Sequence, residues 1–171
     1  MNPVEQVSEK RVVELTRTLV ETPSETGKEK KIGDWLITFF EKLGLSQVTR
    51  LPVEEAGDTV YAVLKGGDGP KLMLNFHIDT FDAFDGWETP PFKIVEKEGR
   101  LYGLGAHDMK GGAACALAAL EAIIESGVKL SGDLIVSGTS DEEYWSRGAH
   151  ALIKSGILEG CEYCIVSEPA D

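Results

Sequence analysis

The stretch KLMLNFHIDT, residues 71–80, decides how the chain is read. Leu72, Met73, Leu74 and Phe76 make an apolar strand, and that strand delivers His77 and Asp79 at its C-terminal end. Side chains two apart on a strand share a side. A metal-ligating imidazole needs its second ring nitrogen held, usually by a carboxylate, and Asp79 is well placed to hold it. Taken alone, the pair is equally compatible with a structural histidine beside a turn aspartate.

Outward from this strand the pattern alternates. Strand-like runs fall at 48–51, 59–64, about 92–96, 133–139 and 162–167. Apolar residues recur at helical spacing over 4–20 and 28–43, an alanine-rich helix spans about 111–126, and a shorter helix covers 146–154. ETPSETGKEK, residues 21–30, is a loop with a serine-to-glutamate capping pattern, and GGDGP, residues 66–70, reads as a hairpin-type turn. Gly44 and Gly127 stop their helices. Strands alternating with helices imply an α/β, three-layer fold with a mostly parallel central sheet flanked by helices. Residues 1–171 form one domain or one piece of one.

In open α/β sheets ligands bind at the C-terminal strand ends, and acidic residues gather there. LYGLGAHDMKGG, residues 101–112, sets Asp108 just ahead of a helix start. A dinucleotide loop of GxGxxG form would need glycine at 108, where a carboxylate would repel pyrophosphate. TSDEE, residues 139–143, ends a buried strand with Asp141, Glu142 and Glu143 in a row. Beside a metal, adjacent carboxylates can divide roles, one ligating and one moving protons; the bland alternative is a solvated cluster capping the next helix. Ser167-Glu168-Pro169 ends the last apolar strand with another acid. Carboxylates plus an imidazole suit zinc, or cobalt or manganese.

These segments, with LVETPSETGKEKKIGDWL, WETPPF and TSDEEYWSRGAHAL, resemble in order the zinc-dependent amide hydrolases of the acetylornithine deacetylase, succinyl-diaminopimelate desuccinylase and glutamate carboxypeptidase family. The resemblance runs nearly end to end and implies a zinc-exopeptidase-like fold with two metals. It implies His77 and Glu168 on one metal, Asp108 bridging both and followed by a cis peptide bond, Glu143 on the second, Asp79 orienting His77, and Glu142 as general base. The implied reaction is hydrolysis of an amide in an N-acyl amino acid or short peptide by metal-activated water. Two positions depart from the family: Phe76 stands where glycine usually precedes the histidine, and Leu104 where arginine is common. Family members are about twice as long, with an inserted domain that makes a homodimer and a returning segment that adds another metal-binding histidine. Residues 1–171 therefore correspond to the N-terminal portion of the catalytic domain. Weak or single-metal occupancy, little hydrolysis and self-association through an uncovered sheet edge are expected of this chain alone.

Composition narrows the alternatives. The formal charge of −12 argues against non-specific binding to nucleic acid or to an anionic membrane. Charges run through MNPVEQVSEKRVVEL, and the longest apolar stretch, 111–124, is interrupted by Glu121; a cytoplasmic protein is expected. Cys161 and Cys164 form a CxxC that runs into a strand without a second pair, so reduced thiols are expected, with Cys115 packing in its helix. His107, beside Asp108, is expected to point elsewhere, and His150 falls in a helix that, by the resemblance, serves packing. The remaining competitors are a non-catalytic metal-binding or interaction fragment that keeps the motifs as relics, and a nucleotide-binding α/β protein, which Asp108 disfavours.

Overall fold

The computed structural model describes residues 2–169. Its strands are β1 (Ser46–Leu51), β2 (Thr59–Leu64), β3 (Lys71–His77), β4 (Val95–Lys97), β5 (Arg100–Tyr102), β6 (Leu134–Thr139) and β7 (Cys161–Val166); its α-helices are α1 (Glu9–Val20), α2 (Lys30–Lys42), α3 (Gly111–Ser126) and α4 (Arg147–Lys154). The central sheet has the order β1-β2-β6-β3-β7. β6, β3 and β7 run parallel; β2 is antiparallel to β6, and β1, antiparallel to β2, closes that side in the direction of the parallel strands.

Three layers follow from the two periodicities. Val60, Ala62, Leu74, Phe76, Leu134 and Val136 face one side of the sheet and pack against α1, α2 and α3. Val63, Met73 and Ile135 face the other, against Leu152 of α4. Alternation along each strand puts these sets on opposite faces. The alanines of α3 are small enough to let it lie close to its neighbours, and Ala113, Ala114, Ala116, Ala118 and Ala122 are all buried. Glu121, the acid in this apolar helix, is answered by a two-pronged bond from Arg11 of α1, at 2.8 and 2.7 Å.

Four local expectations are corrected. GGDGP does not close a hairpin, because β6 lies between β2 and β3. It lies instead against the segment before β6, with Gly67 N–H donating to the Leu130 carbonyl and Gly69 N–H to that of Ser131. The helix expected over 4–20 is split: a short 3-10 turn covers Pro3–Gln6, Val7 is extended, and Ser8 accepts from Arg11 N–H to cap α1. Ser24 does not cap α2; its hydroxyl donates to the Ile78 carbonyl at 2.6 Å, and Glu29 takes the cap position without a side-chain bond. The strand expected at 92–96 is shorter and later, the two-stranded hairpin β4-β5 turning at Glu98 and Gly99. None of the described helices is long and apolar enough to cross a membrane.

Candidate metal centre

Four chain segments meet at the C-terminal ends of the parallel strands. β3 and β6 run in parallel register, with His77 opposite Thr139. The residues just past both strands, 78–80 and 140–143, therefore emerge side by side. Gly138 permits this closeness: a Cβ there would lie 2.7 Å from Ile78 and 2.8 Å from Leu36. The third segment is the distorted turn Ala106–Lys110 before α3, in which Asp108 leaves helical geometry (φ −116°, ψ 100°) and the Asp108–Met109 peptide bond is cis. The fourth follows β7, whose parallel pairing with β3 brings Glu168 to the same edge.

Asp79 organises the centre from beneath. It is fully buried. Its carboxylate accepts from the amides of Glu142 (3.1 Å) and Glu143 (3.2 Å) and from the Thr26 hydroxyl (2.9 Å). His77 Nδ1 stands 3.5 Å from that carboxylate and 3.0 Å from the Asp79 carbonyl. A carbonyl only accepts, so Nδ1 carries the proton and the Nε2 lone pair points into the cluster. Nε2 lies 3.0 Å from Asp108 Oδ1, 3.7 Å from Glu168 Oε1 and 4.0 Å from Glu142 Oε2. A nitrogen lone pair that close to a carboxylate calls for a positive charge between them, a proton or a metal.

Two overlapping groups have ligand atoms within 4.8 Å of one another: His77, Asp108 and Glu143; and His77, Glu142 and Glu168. All six residues singled out in the sequence thus come together, five presenting groups to one space and Asp79 bracing them. The carboxylates of Asp108, Glu142 and Glu168 remain partly open to solvent, whereas His77 is buried.

The electrostatics show crowded negative charge. Burial raises the Glu143 carboxyl, and repulsion from Asp108, Asp79 and Glu142 adds to it against the pull of His77, to about 7. Glu168 is raised in the same way, first by burial, then by Asp108 and Glu142. For His77, burial works toward the neutral ring, but bonding to Asp79 and Asp108 outweighs it and lifts the imidazole to about 9. Asp79 is held below its ordinary value, since His77 and the Glu142 amide overcome its burial. Acids that resist ionising around a ring that holds its proton are the signature of a site suited to a cation. One imidazole and four carboxylates also match the oxygen-and-nitrogen donor set of zinc, cobalt or manganese.

Sequence reading missed the brace formed by residues 24–26. Thr80 N–H donates to the Ser24 carbonyl and Thr26 N–H to the Thr80 carbonyl, pinning the segment beside Asp79. Its signal was present in the threonine and serine of ETPSETG, but a capping role competed for it. Met109 was also missed; it is fully buried, and its sulfur accepts from the His77 amide at 3.1 Å. His107 and His150 are exposed and in neither group of candidate ligands. Cys115, Cys161 and Cys164 are free thiols, and Cys115, expected to pack in its helix, is exposed instead.

Peptidase family M20/M25/M40 matches this chain over residues 73–171. A probable succinyl-diaminopimelate desuccinylase of Staphylococcus aureus (strain Mu50 / ATCC 700699) is 33% identical over 164 residues, covering 95% of this chain and 40% of that protein. The chain thus spans about two fifths of the length of such curated relatives. Human carnosine dipeptidase 1 superposes with a TM-score of 0.83 at 19% identity, over 95% of this chain and 39% of that one. The YXEP protein of Bacillus subtilis, described as a dinuclear metal-binding peptidase of the M20 family, gives 0.65 at 21% identity, over 92% and 42%.

Proposed function

The chain belongs to peptidase family M20/M25/M40, and from that premise we propose that it is the metal-binding N-terminal portion of the catalytic domain of a hydrolase that cleaves an amide bond in an N-acyl amino acid or short peptide. The single observation that carries this reading is the convergence of His77, Asp108, Glu142, Glu143 and Glu168 on one space at the sheet edge. A relative named as a desuccinylase and neighbours named as peptidases support the class of bond.

In this proposal His77, Asp108 and Glu168 hold one divalent cation, and Asp108 and Glu143 contribute to a second; zinc is the first choice, with cobalt or manganese alternatives. Bound there, such ions supply carbonyl polarisation and acidification of water. Glu142 serves as the general base: it sits at the rim, its carboxylate is part-exposed, and its backbone is anchored through the bond to Asp79. It accepts the proton of the attacking water and returns it to the leaving amine. Asp79 acts through others, holding the His77 tautomer and the turn that carries both glutamates.

We also propose that residues outside 1–171 complete the second cation's shell and the substrate pocket, and that in the full-length protein they include a dimerising domain. The described residues offer that cation only Asp108 and Glu143. Metal analysis and calorimetry with zinc test both parts. Uptake near one equivalent, abolished in H77A, with negligible deacylation, is the expected result. No zinc uptake would remove the metal reading; two equivalents with robust deacylation would remove the claim of incompleteness.

A further inference from the structure

Two exposed aromatic rings stand on the loops that deliver the candidate ligands. Phe81 follows Asp79 by two residues and is 44% exposed; Tyr144 follows Glu143 directly and is 53% exposed. Their ring centroids are 5.6 Å apart at 65°, an edge-to-face pair. The loops cannot drift apart easily, since Asp79 accepts from the amides of both Glu142 and Glu143. The pair is therefore a fixed apolar step beside a field of carboxylates. The next ring, Trp145, is set differently: it lies 6.0 Å from the Arg147 guanidinium.

Charge decides what such a step could take. The surrounding cluster is acidic, and the cations near it are already engaged. Lys28 pairs with Glu25 and Asp82, Lys110 donates to the carbonyls of Leu19 and Thr22, and Arg147 pairs with Asp141 and Glu55. Among the described residues, His77 is the sole base in an ion pair with the cluster. The divalent cations that the cluster itself would hold are offset by its four carboxylates. An acidic acyl chain would thus find no unpaired side-chain cation among Lys28, Lys110 and Arg147, whereas an uncharged ring or alkyl group would gain contact with two aromatic faces.

We propose that Phe81 and Tyr144 form a specificity-determining wall that receives a neutral apolar or aromatic group flanking the scissile amide, in preference to an acidic acyl chain. This rests on the amide-hydrolase reading above. The test is calorimetric titration of the full-length protein, with and without zinc, by N-phenylacetylglycine, N-acetylglycine and N-succinylglycine, and no detectable binding of the phenyl ligand would overturn the wall. Metal uptake is recorded on the same samples. Phenylacetylglycine should bind about tenfold more tightly than succinylglycine, the size of one good aromatic contact. F81A and Y144A should each erode that preference, and Y144L should keep part of it. Zinc uptake with no phenyl preference, or a preference that survives both alanine variants, would overturn the wall while sparing the metal reading. Absent zinc uptake with a phenyl preference carried by the two rings would do the reverse. Loss of self-association in Y144A with no ligand preference would make the rings an interface and overturn the wall too.

Discussion

Asp79→Asn is the change that strikes the centre hardest for the least alteration in shape. The wild-type carboxylate uses both oxygens: Oδ1 accepts from the Glu142 amide, and Oδ2 from the Glu143 amide and the Thr26 hydroxyl. Asparagine keeps one acceptor and turns its NH2 group toward a donor. In either rotamer one backbone N–H of the 142–143 turn loses its partner in a buried setting. An orphaned buried donor costs about 1–3 kcal/mol, and bonds to a charged acceptor contribute roughly 1.5–3 kcal/mol each. Allowing for relaxation, a loss of about 3 kcal/mol is expected. For a domain of this size about 2–4 °C accompanies each kcal/mol, so Tm should fall by roughly 6–12 °C. Partners that orient a ligating histidine typically account for 10–100-fold in metal affinity; since the Asp79 main-chain carbonyl still accepts from His77 Nδ1 in the variant, zinc binding should weaken by about tenfold, the low end of that range. Thermal unfolding by circular dichroism and zinc calorimetry measure the two effects. A Tm within about 2 °C of wild type, together with unchanged zinc affinity, would refute the role given to Asp79.

Other outcomes follow from single features. Glu29 is buried, and neither carboxylate oxygen is in a well-formed hydrogen bond; burial raises it above its ordinary 4.5, against the pull of the nearby Gly27, Glu29 and Asp141 amides. The folded state thus holds this proton more tightly than the unfolded chain does, so the linked stability is complete below about pH 4.5 and is lost as pH rises through the folded value. E29Q should therefore gain stability over wild type more at pH 7.5 than at pH 4.5 in urea titrations; an equal difference at both would count against a neutral acid. Gly138→Ala should destabilise by about 1–3 kcal/mol through overpacking against Ile78 and Leu36, and a neutral result would mean the two loops have room to part. β7 pairs only with β3 among the described residues, and it exposes Tyr163, Ile165 and Val166; light scattering should show concentration-dependent association that I165K reduces, and a monodisperse monomer in wild type would remove that expectation.

Much of the fold was legible because burial leaves a periodic trace. Leu72 to Phe76 announced a strand, and Ile32, Leu36, Phe39 and Phe40 marked one face of a helix. The ends of elements were less legible. The serine and glutamates of ETPSETGKEK look like a capping pattern, yet Ser24 bonds Ile78 from a distant segment and Glu29, at the cap position, makes no side-chain capping bond. GGDGP has the composition of a hairpin turn, but composition cannot say that a strand sixty residues later will insert between its neighbours.

By itself the sequence determined the alternating α/β pattern and which side chains could serve a cation: His77, Asp108, Glu142, Glu143 and Glu168 each follow a short, strongly patterned segment, and such patterns are local properties of the chain. Only the tertiary structure decided that these groups share one space, that Asp79 holds two glutamate amides while bracing the imidazole, and that Thr26 completes its shell. Those facts depend on parallel register between β3, β6 and β7. Register is set by packing between segments far apart in sequence, and no local pattern encodes which strand will lie beside which.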